Sequence, residues 1–272
     1  MINSPAAPYS KVITRGHLEL ATYSFGDPHA PTVLAVHGFA SSALLNWHVP
    51  YWTSDLVAAG FHVLAVDQIG HGNSAKPINP TDYSLRSLVD DLREVLDAYL
   101  IDQVDYLGYS LGARVGWQAC INMPDRITRA VLGGLPDGLP LTRFRVPAAR
   151  RYIADHEPVN DSLTRAYLAM AERIPGNRLD ALVALVQGAQ IGPATDPDTP
   201  PDQPLLLATG SEDNIVDASR SLADAAPQGF FMEIPGKNHF NAPASQAFRQ
   251  AAITFFKTPL EQLNRRALTL SD

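Results

Sequence analysis

The feature that most constrains this chain is a short apolar run that keeps recurring. Residues Thr32-Val33-Leu34-Ala35-Val36 show no alternation of polar and apolar side chains, the pattern of a strand buried on both faces. Runs of the same kind fall at 62–66, 104–107, 130–133, 205–208 and 230–234. Helical patterns separate them. The clearest spans 85–100, where Leu85, Leu88, Val89, Leu92, Val95, Leu96, Tyr99 and Leu100 recur at helical spacing behind Ser84 as the cap. Residues 12–25, broken by Arg15-Gly16-His17, read as a two-strand hairpin. Repeated strand–helix–strand units predict an α/β fold with a mostly parallel central sheet flanked by helices.

One interval breaks the rhythm. Between Leu135 and Gln203 there is no strand pattern; three helical stretches stand instead, near 141–155, 161–173 and 179–190. Pro136 and Pro140 punctuate the entry, and Pro193, Pro197, Pro200, Pro201 and Pro204 the return. The expected organisation is a core from residues 1–134 and 204–272 with a helical cap inserted at 135–203. Leu260, Leu263 and Leu268 predict a last helix in the tail, and no internal repeat is present.

Charge and cysteine content exclude several classes. Asp and Glu number 28 against 21 Lys and Arg, for a net charge of −7, so the basic footprint of a nucleic-acid binder is missing. A single cysteine, Cys120, excludes an intramolecular disulfide and any CxxC metal or redox motif; it reads as a small buried apolar residue on the helix it occupies. No apolar run approaches the roughly 18 residues of a spanning helix. Residues 1–11 carry no apolar signal core, which predicts a cytoplasmic protein. His48, His62, His71 and His156 lack metal-ligand spacing, so no metal or other cofactor is expected.

The chemistry is carried by Gly108-Tyr109-Ser110-Leu111-Gly112. An apolar strand run precedes it and a helical pattern follows to about residue 121, placing Ser110 on a strand-to-helix turn too tight for a Cβ at either flanking glycine. A serine hydroxyl is a poor nucleophile at neutral pH and needs a base within hydrogen-bond reach. On a turn of this type the acid and then the base come from loops after later strands. The run at 205–208 leads into Thr209-Gly210-Ser211-Glu212-Asp213, and the run at 230–234 into Pro235-Gly236-Lys237-Asn238-His239. The predicted triad is Ser110, Asp213 and His239, with Glu212 and Asp217 as rivals for the acid. The oxyanion of an acyl-transfer intermediate needs N–H donors. Leu111 N–H is one; Phe39 N–H, in the loop His37-Gly38-Phe39-Ala40-Ser41-Ser42, is the other.

Together, His37-Gly38, Asp67-Gln68-Ile69-Gly70-His71-Gly72-Asn73-Ser74, the Ser110 motif, Gly210-Ser211-Glu212-Asp213 and Asn238-His239-Phe240 resemble the α/β-hydrolase fold superfamily from about residue 12 to 257. Dehalogenases and epoxide hydrolases of this fold use a carboxylate nucleophile, because attack on an sp³ carbon must leave an ester that water can cleave. Ser110 would leave an ether. The resemblance therefore implies an ester hydrolase acting on small to medium apolar acyl esters through an acyl-enzyme on Ser110. Carbon–carbon bond hydrolysis and cofactor-free perhydrolysis use the same triad. Against the former, Gly112-Ala113-Arg114 departs from the Gly-Gly step usual there. A ligand-binding module on the same scaffold is the reading from another class.

Around this centre, His37 is expected to pack beside the oxyanion loop, and Gly70 and Gly72 to turn the chain beside the site. Arg143, Arg145, Arg150 and Arg151 form a basic cluster read as a solvated helix face. Tyr152, Ile153, Leu163, Tyr167, Leu168 and Met170 supply apolar faces for packing and then for an acyl pocket. The expected partner is a small-molecule acyl ester, with no nucleic acid and no membrane span; the sequence leaves a homodimer open.

Overall fold

A computed structural model describes residues 10–14 and 17–263 of the chain. Its sheet has eight strands: β1 (Ser10–Thr14), β2 (Leu18–Phe25), β3 (Thr32–Val36), β4 (His62–Val66), β5 (Val104–Tyr109), β6 (Ile127–Gly133), β7 (Leu205–Gly210) and β8 (Gly229–Ile234). The spatial order is β1-β2-β4-β3-β5-β6-β7-β8. The first two strands are an antiparallel hairpin added to β4, and every later pairing is parallel. Every residue of β3, β4, β5 and β7 is buried.

Burial on both faces follows from strand periodicity. Leu34, Val36, Leu64, Val66, Tyr106, Leu132 and Leu207 point to one side. There they meet α2 (Leu85–Ala98), α3 (Leu111–Asn122) and α7 (Val216–Ala225). Their neighbours Val33, Ala35, Val63, Ala65, Leu107, Val131, Leu206 and Ala208 face the other side, against α1 (Trp52–Ala58) and α8 (Gln246–Lys257). Trp52 anchors that second layer, its ring 5.4 Å from Trp47 and 4.9 Å from Phe248.

The chain runs from β3 to β4 on one side and then crosses back to β5 on the other. Loops leaving β3 and β5 therefore diverge above adjacent strands, the place where an open α/β sheet forms a crevice.

Three helices lie between β6 and β7: α4 (Val146–Asp155), α5 (Ser162–Glu172) and α6 (Leu179–Gly188). Asp161 caps α5, accepting from the Thr164 N–H at 2.7 Å. The first of the three starts later than the helical pattern predicts, because Leu141 adopts a left-handed φ of 55° and Phe144 turns back with its N–H on Leu141 O. The two arms of this segment, which read as plain linkers, pair through an isolated antiparallel bridge between Gly138 and Thr195. A short α9 (Leu260–Leu263) ends the described residues, with Leu263 buried; the Leu268 expectation lies outside them. Leu100 is a correction. It continues the apolar stripe of α2 in sequence, yet the helix stops at Ala98, and Leu100 takes a φ of 54° and is 91% exposed.

Arg114, on α3 one turn beyond Ser110, clasps both arms at once. Its guanidinium donates to Gly138 O at 2.8 Å on the entry arm, and to Thr195 Oγ1 and Pro193 O on the return. Burial without a carboxylate partner among these contacts lowers its pKa to about 10. An unmade buried hydrogen bond costs about 1–3 kcal/mol. Arg114→Met is therefore expected to lower the unfolding free energy by at least about 1–3 kcal/mol and to speed amide exchange around residues 136–140 and 193–196. Unchanged exchange in both arms would contradict the clasp.

Candidate active site

Ser110 sits between β5 and α3 with φ 52° and ψ −111°, a region that costs a non-glycine residue on the order of 1–3 kcal/mol. Its surroundings hold it there. The Ser110 N–H donates to Gly133 O at 2.8 Å and the Ser110 carbonyl accepts from Arg114 N–H at 2.9 Å. The flanking glycines make the turn feasible: a Cβ on Gly108 would lie 2.5 Å from Gly112 O, and one on Gly112 would collide with Val36 O. The tight turn leaves the first N–H groups of α3 free beside the hydroxyl, as at any helix N-terminus.

The loop after β7 carries Asp213 and the loop after β8 carries His239. They are tied together by Ser211 N–H to Ile234 O, Glu212 N–H to Lys237 O at 2.9 Å, and Gly236 N–H to Ser211 Oγ at 2.9 Å. His239 Nε2 lies 2.9 Å from Ser110 Oγ, and His239 Nδ1 lies 2.7 Å from Asp213 Oδ2. Asp213 is buried. Its rivals do not reach the ring: Glu212 is exposed, and Asp217 lies on α7. Tyr109, inside the serine motif, fixes the His239 loop by donating its O–H to His239 O at 2.7 Å. Burial, and then the Asp213 charge, push the Tyr109 phenol well above its ordinary pKa, so it remains a donor.

The loop of Phe39 leaves β3 beside this turn, where a Cβ on Gly38 would rest 3.4 Å from Ser110 Cβ. Neither the Phe39 N–H nor the Leu111 N–H finds an acceptor among the described residues. Both are therefore available to an oxyanion. Four contacts that the sequence does not advertise hold this loop. Gly38 N–H donates to Asn46 Oδ1 at 3.2 Å, and Ala40 N–H to His71 Nε2 at 3.0 Å. Gln68 N–H donates to His37 Nε2 at 3.0 Å, and Ala43 N–H to Asp67 Oδ1 at 2.7 Å. His37 thus packs beside the loop as expected. His71, read as an ordinary polar residue, is a second support; its only signal is its place beside Gly70 and Gly72 in the loop after β4. Asp67 also accepts from Asn73 N–H at 2.9 Å, and a Cβ on Gly72 would collide with its carboxylate.

A cavity of about 500 Å³ opens over Ser110 and His239, walled by residues 136–144, Leu163, Tyr167 and Phe240. Its size suits a small ligand. Phe144, Tyr167 and Phe240 supply aromatic rings to the wall, and Phe39 packs against Tyr167, which lies 5.2 Å from Phe39 and 5.8 Å from Phe240 between ring centres. Leu163 and Tyr167 therefore reach the cavity, whereas Tyr152 bonds Glu172 on the surface. Of the four clustered arginines, Arg143 lines the cavity, while Arg151 pairs with Glu157 and Arg150 with Gln187. Cys120 is buried, its thiol pushed up to about 12 by burial. Among the described residues no cluster of His, Cys, Asp or Glu is placed to hold a metal ion, and no helix is long and apolar enough to cross a membrane.

Comparison with known proteins agrees with this architecture. A family model described as the alpha/beta hydrolase fold matches residues 31–243. The chain belongs to the alpha/beta hydrolase fold family. Within it, the chain is similar to epoxide hydrolase A of Mycobacterium tuberculosis, 31% identical over 54% of this chain and 44% of that protein. The matched stretch spans about half the length of the curated relatives. Among solved structures, the enol-lactonase of Burkholderia xenovorans LB400 superposes with a TM-score of 0.71 at 21% identity, covering 92% of this chain and all (100%) of that one. Epoxide hydrolase A of Mycobacterium thermoresistibile gives 0.68 at 21% identity over 91% and 97%.

The two loop-supporting imidazoles give a pH dependence. Burial lowers the pKa of His37, and lowers that of His71 well below the ordinary 6.5. Below that value the unfolded chain takes up protons that the folded rings refuse. The neutral rings' contribution is therefore complete above 6.5 and declines as the pH falls, by up to about 1.4 kcal/mol per pH unit for each ring. Urea unfolding is expected to give a smaller free energy at pH 5.5 than at pH 7; an equal or larger one would contradict neutral, buried imidazoles.

Proposed function

We propose that the protein is a serine hydrolase that cleaves carboxylic esters of small to medium apolar acyl groups, with residues 135–203 as a helical cap over a core of 1–134 and 204–272. The observation that carries the reading is the hydrogen-bonded chain from Ser110 Oγ through His239 to Asp213 on a strained strand-to-helix turn. Ser110 attacks the acyl carbonyl while His239 Nε2 takes its proton, and Asp213 orients the ring and stabilises the imidazolium. The carbonyl oxygen, now an oxyanion, is met by the Phe39 and Leu111 N–H groups. Collapse expels the alcohol, which takes the proton from His239, and water then cleaves the acyl-enzyme by the same route in reverse roles.

The relatives named as epoxide hydrolases do not fix the reaction. The residue at the turn in this chain is serine, and attack on an epoxide carbon by its oxygen would end in an ether with no carbonyl for water to attack. An acyl carbonyl meets no such dead end. Lactones are cyclic carboxylic esters, and a structural neighbour is described as an enol-lactonase, so they belong among the substrates tested.

The test is turnover of a panel of p-nitrophenyl esters and lactones of graded acyl length by parent and Ser110→Ala. The parent is expected to turn over short and medium acyl chains, and Ser110→Ala to lose at least about a thousandfold in kcat with an unchanged melting temperature. Equal rates in the two proteins would overturn the mechanism, and no turnover of any ester by the parent would overturn the reading.

A further inference from the structure

Besides Ser110, Asp213 and His239, the cavity is lined by the phenol of Tyr167. Tyr167 projects from α5, a helix of the segment between β6 and β7, and is only 8% exposed. A buried phenol normally finds a hydrogen-bond partner, as Tyr106 does with Gly112 O and Tyr109 with His239 O. The Tyr167 hydroxyl has none among the described residues, although the residue lines the cavity with Ser110 and His239. Its ring is fixed by edge contacts to Phe39 on the oxyanion side and to Phe240 on the base side. Phe240 in turn packs 5.9 Å from His239. The phenol feels the Asp213 charge, which adds to burial in raising its pKa to about 12, so it keeps its proton at any working pH.

We infer that Tyr167 is a further substrate-contacting residue, whose O–H donates a hydrogen bond to the leaving-group oxygen of the bound ester. This rests on the ester-hydrolase reading above. The oxyanion has its own N–H donors in Phe39 and Leu111, neither of which finds an acceptor among the described residues, so a further donor is left for the other oxygen of the ester. The oxygen that departs is the one that must approach His239 Nε2. When the tetrahedral intermediate collapses, the carbon–oxygen bond breaks and its electron pair stays on the departing oxygen. The proton that His239 took from Ser110 moves to that oxygen. Tyr167 transfers no proton. It lowers the energy of the charge that builds on the oxygen before the proton arrives.

Such help is worth most where the leaving group is a strong base. An alkoxide departs only with assistance, whereas p-nitrophenolate is stable alone. The test compares kcat/KM, which reports acylation, for p-nitrophenyl and ethyl esters of one acyl group in the parent and in Tyr167→Phe. Loss of a hydrogen bond to a charged group is expected to lower the ethyl-ester value about 10- to 100-fold while the p-nitrophenyl value changes little. The rate of Ser110 modification by a fluorophosphonate, whose fluoride leaves unaided, is expected to stay at the parent's value and reports an intact site. A role in packing alone would lower all three together, and that outcome, or no change in any, would overturn the assignment. If the parent turned over neither ester, the ester-hydrolase reading would fall and the assignment with it. Turnover by the parent with parallel losses would remove Tyr167 alone.

Discussion

Everything at the candidate site depends on how closely the first turn of α3 approaches the end of β3. That approach is set at Gly112, where a single added carbon would collide with Val36 O and lie 2.7 Å from His37 O. Because the two backbones touch, Ser110 and the Phe39 loop sit side by side rather than across a gap, and the Phe39 and Leu111 N–H groups have no acceptor among the described residues. The unfavourable backbone of Ser110 is tolerated because β6 supplies Gly133 O and α3 supplies Arg114 N–H as partners for its backbone groups. Strain of this kind persists only where the surrounding structure over-determines it.

The remaining parts are consequences of sheet topology. Parallel strands deliver their loops to one edge, so Phe39, Ser110, Asp213 and His239, scattered over two hundred positions, all arrive at the carboxyl ends of strands. The base and acid loops are tied to one another by backbone hydrogen bonds, and Tyr109 ties the base loop to the serine turn. The Asp213 and His239 loops are therefore fixed against the serine turn largely by main chain and by one buried phenol, and the Phe39 loop by the side chains of Asn46, His71, His37 and Asp67. Arg114 ties the same helix to both arms of the segment that carries α5 and Tyr167.

Much of this was legible in the sequence, for identifiable reasons. Strands buried on both faces write themselves as continuous apolar runs, and each of the six predicted appears as a strand of the sheet, although β8, at the sheet edge, is largely half-buried rather than covered on both faces. The turn at Ser110 is legible because only glycine fits at Gly108 and Gly112. What could not be read were relations across the chain. Motif order favours Asp213 over Glu212 and Asp217 without measuring a distance, and the 2.7 Å approach to His239 Nδ1 is what separates them. His71, Asn46 and Arg114 act through backbone groups 31, 8 and 24 residues away, and no local pattern marks such partners. Leu100 misled because helical spacing continues past the point where a left-handed residue ends the helix.

The central claim is that Ser110 is an activated nucleophile rather than a serine in a turn. Intact mass after incubation with a fluorophosphonate, followed by mapping of the modified peptide, tests it most directly. A single adduct is expected, on Ser110, and none in Ser110→Ala. An unmodified parent protein, or an adduct that survives in the variant, would contradict it.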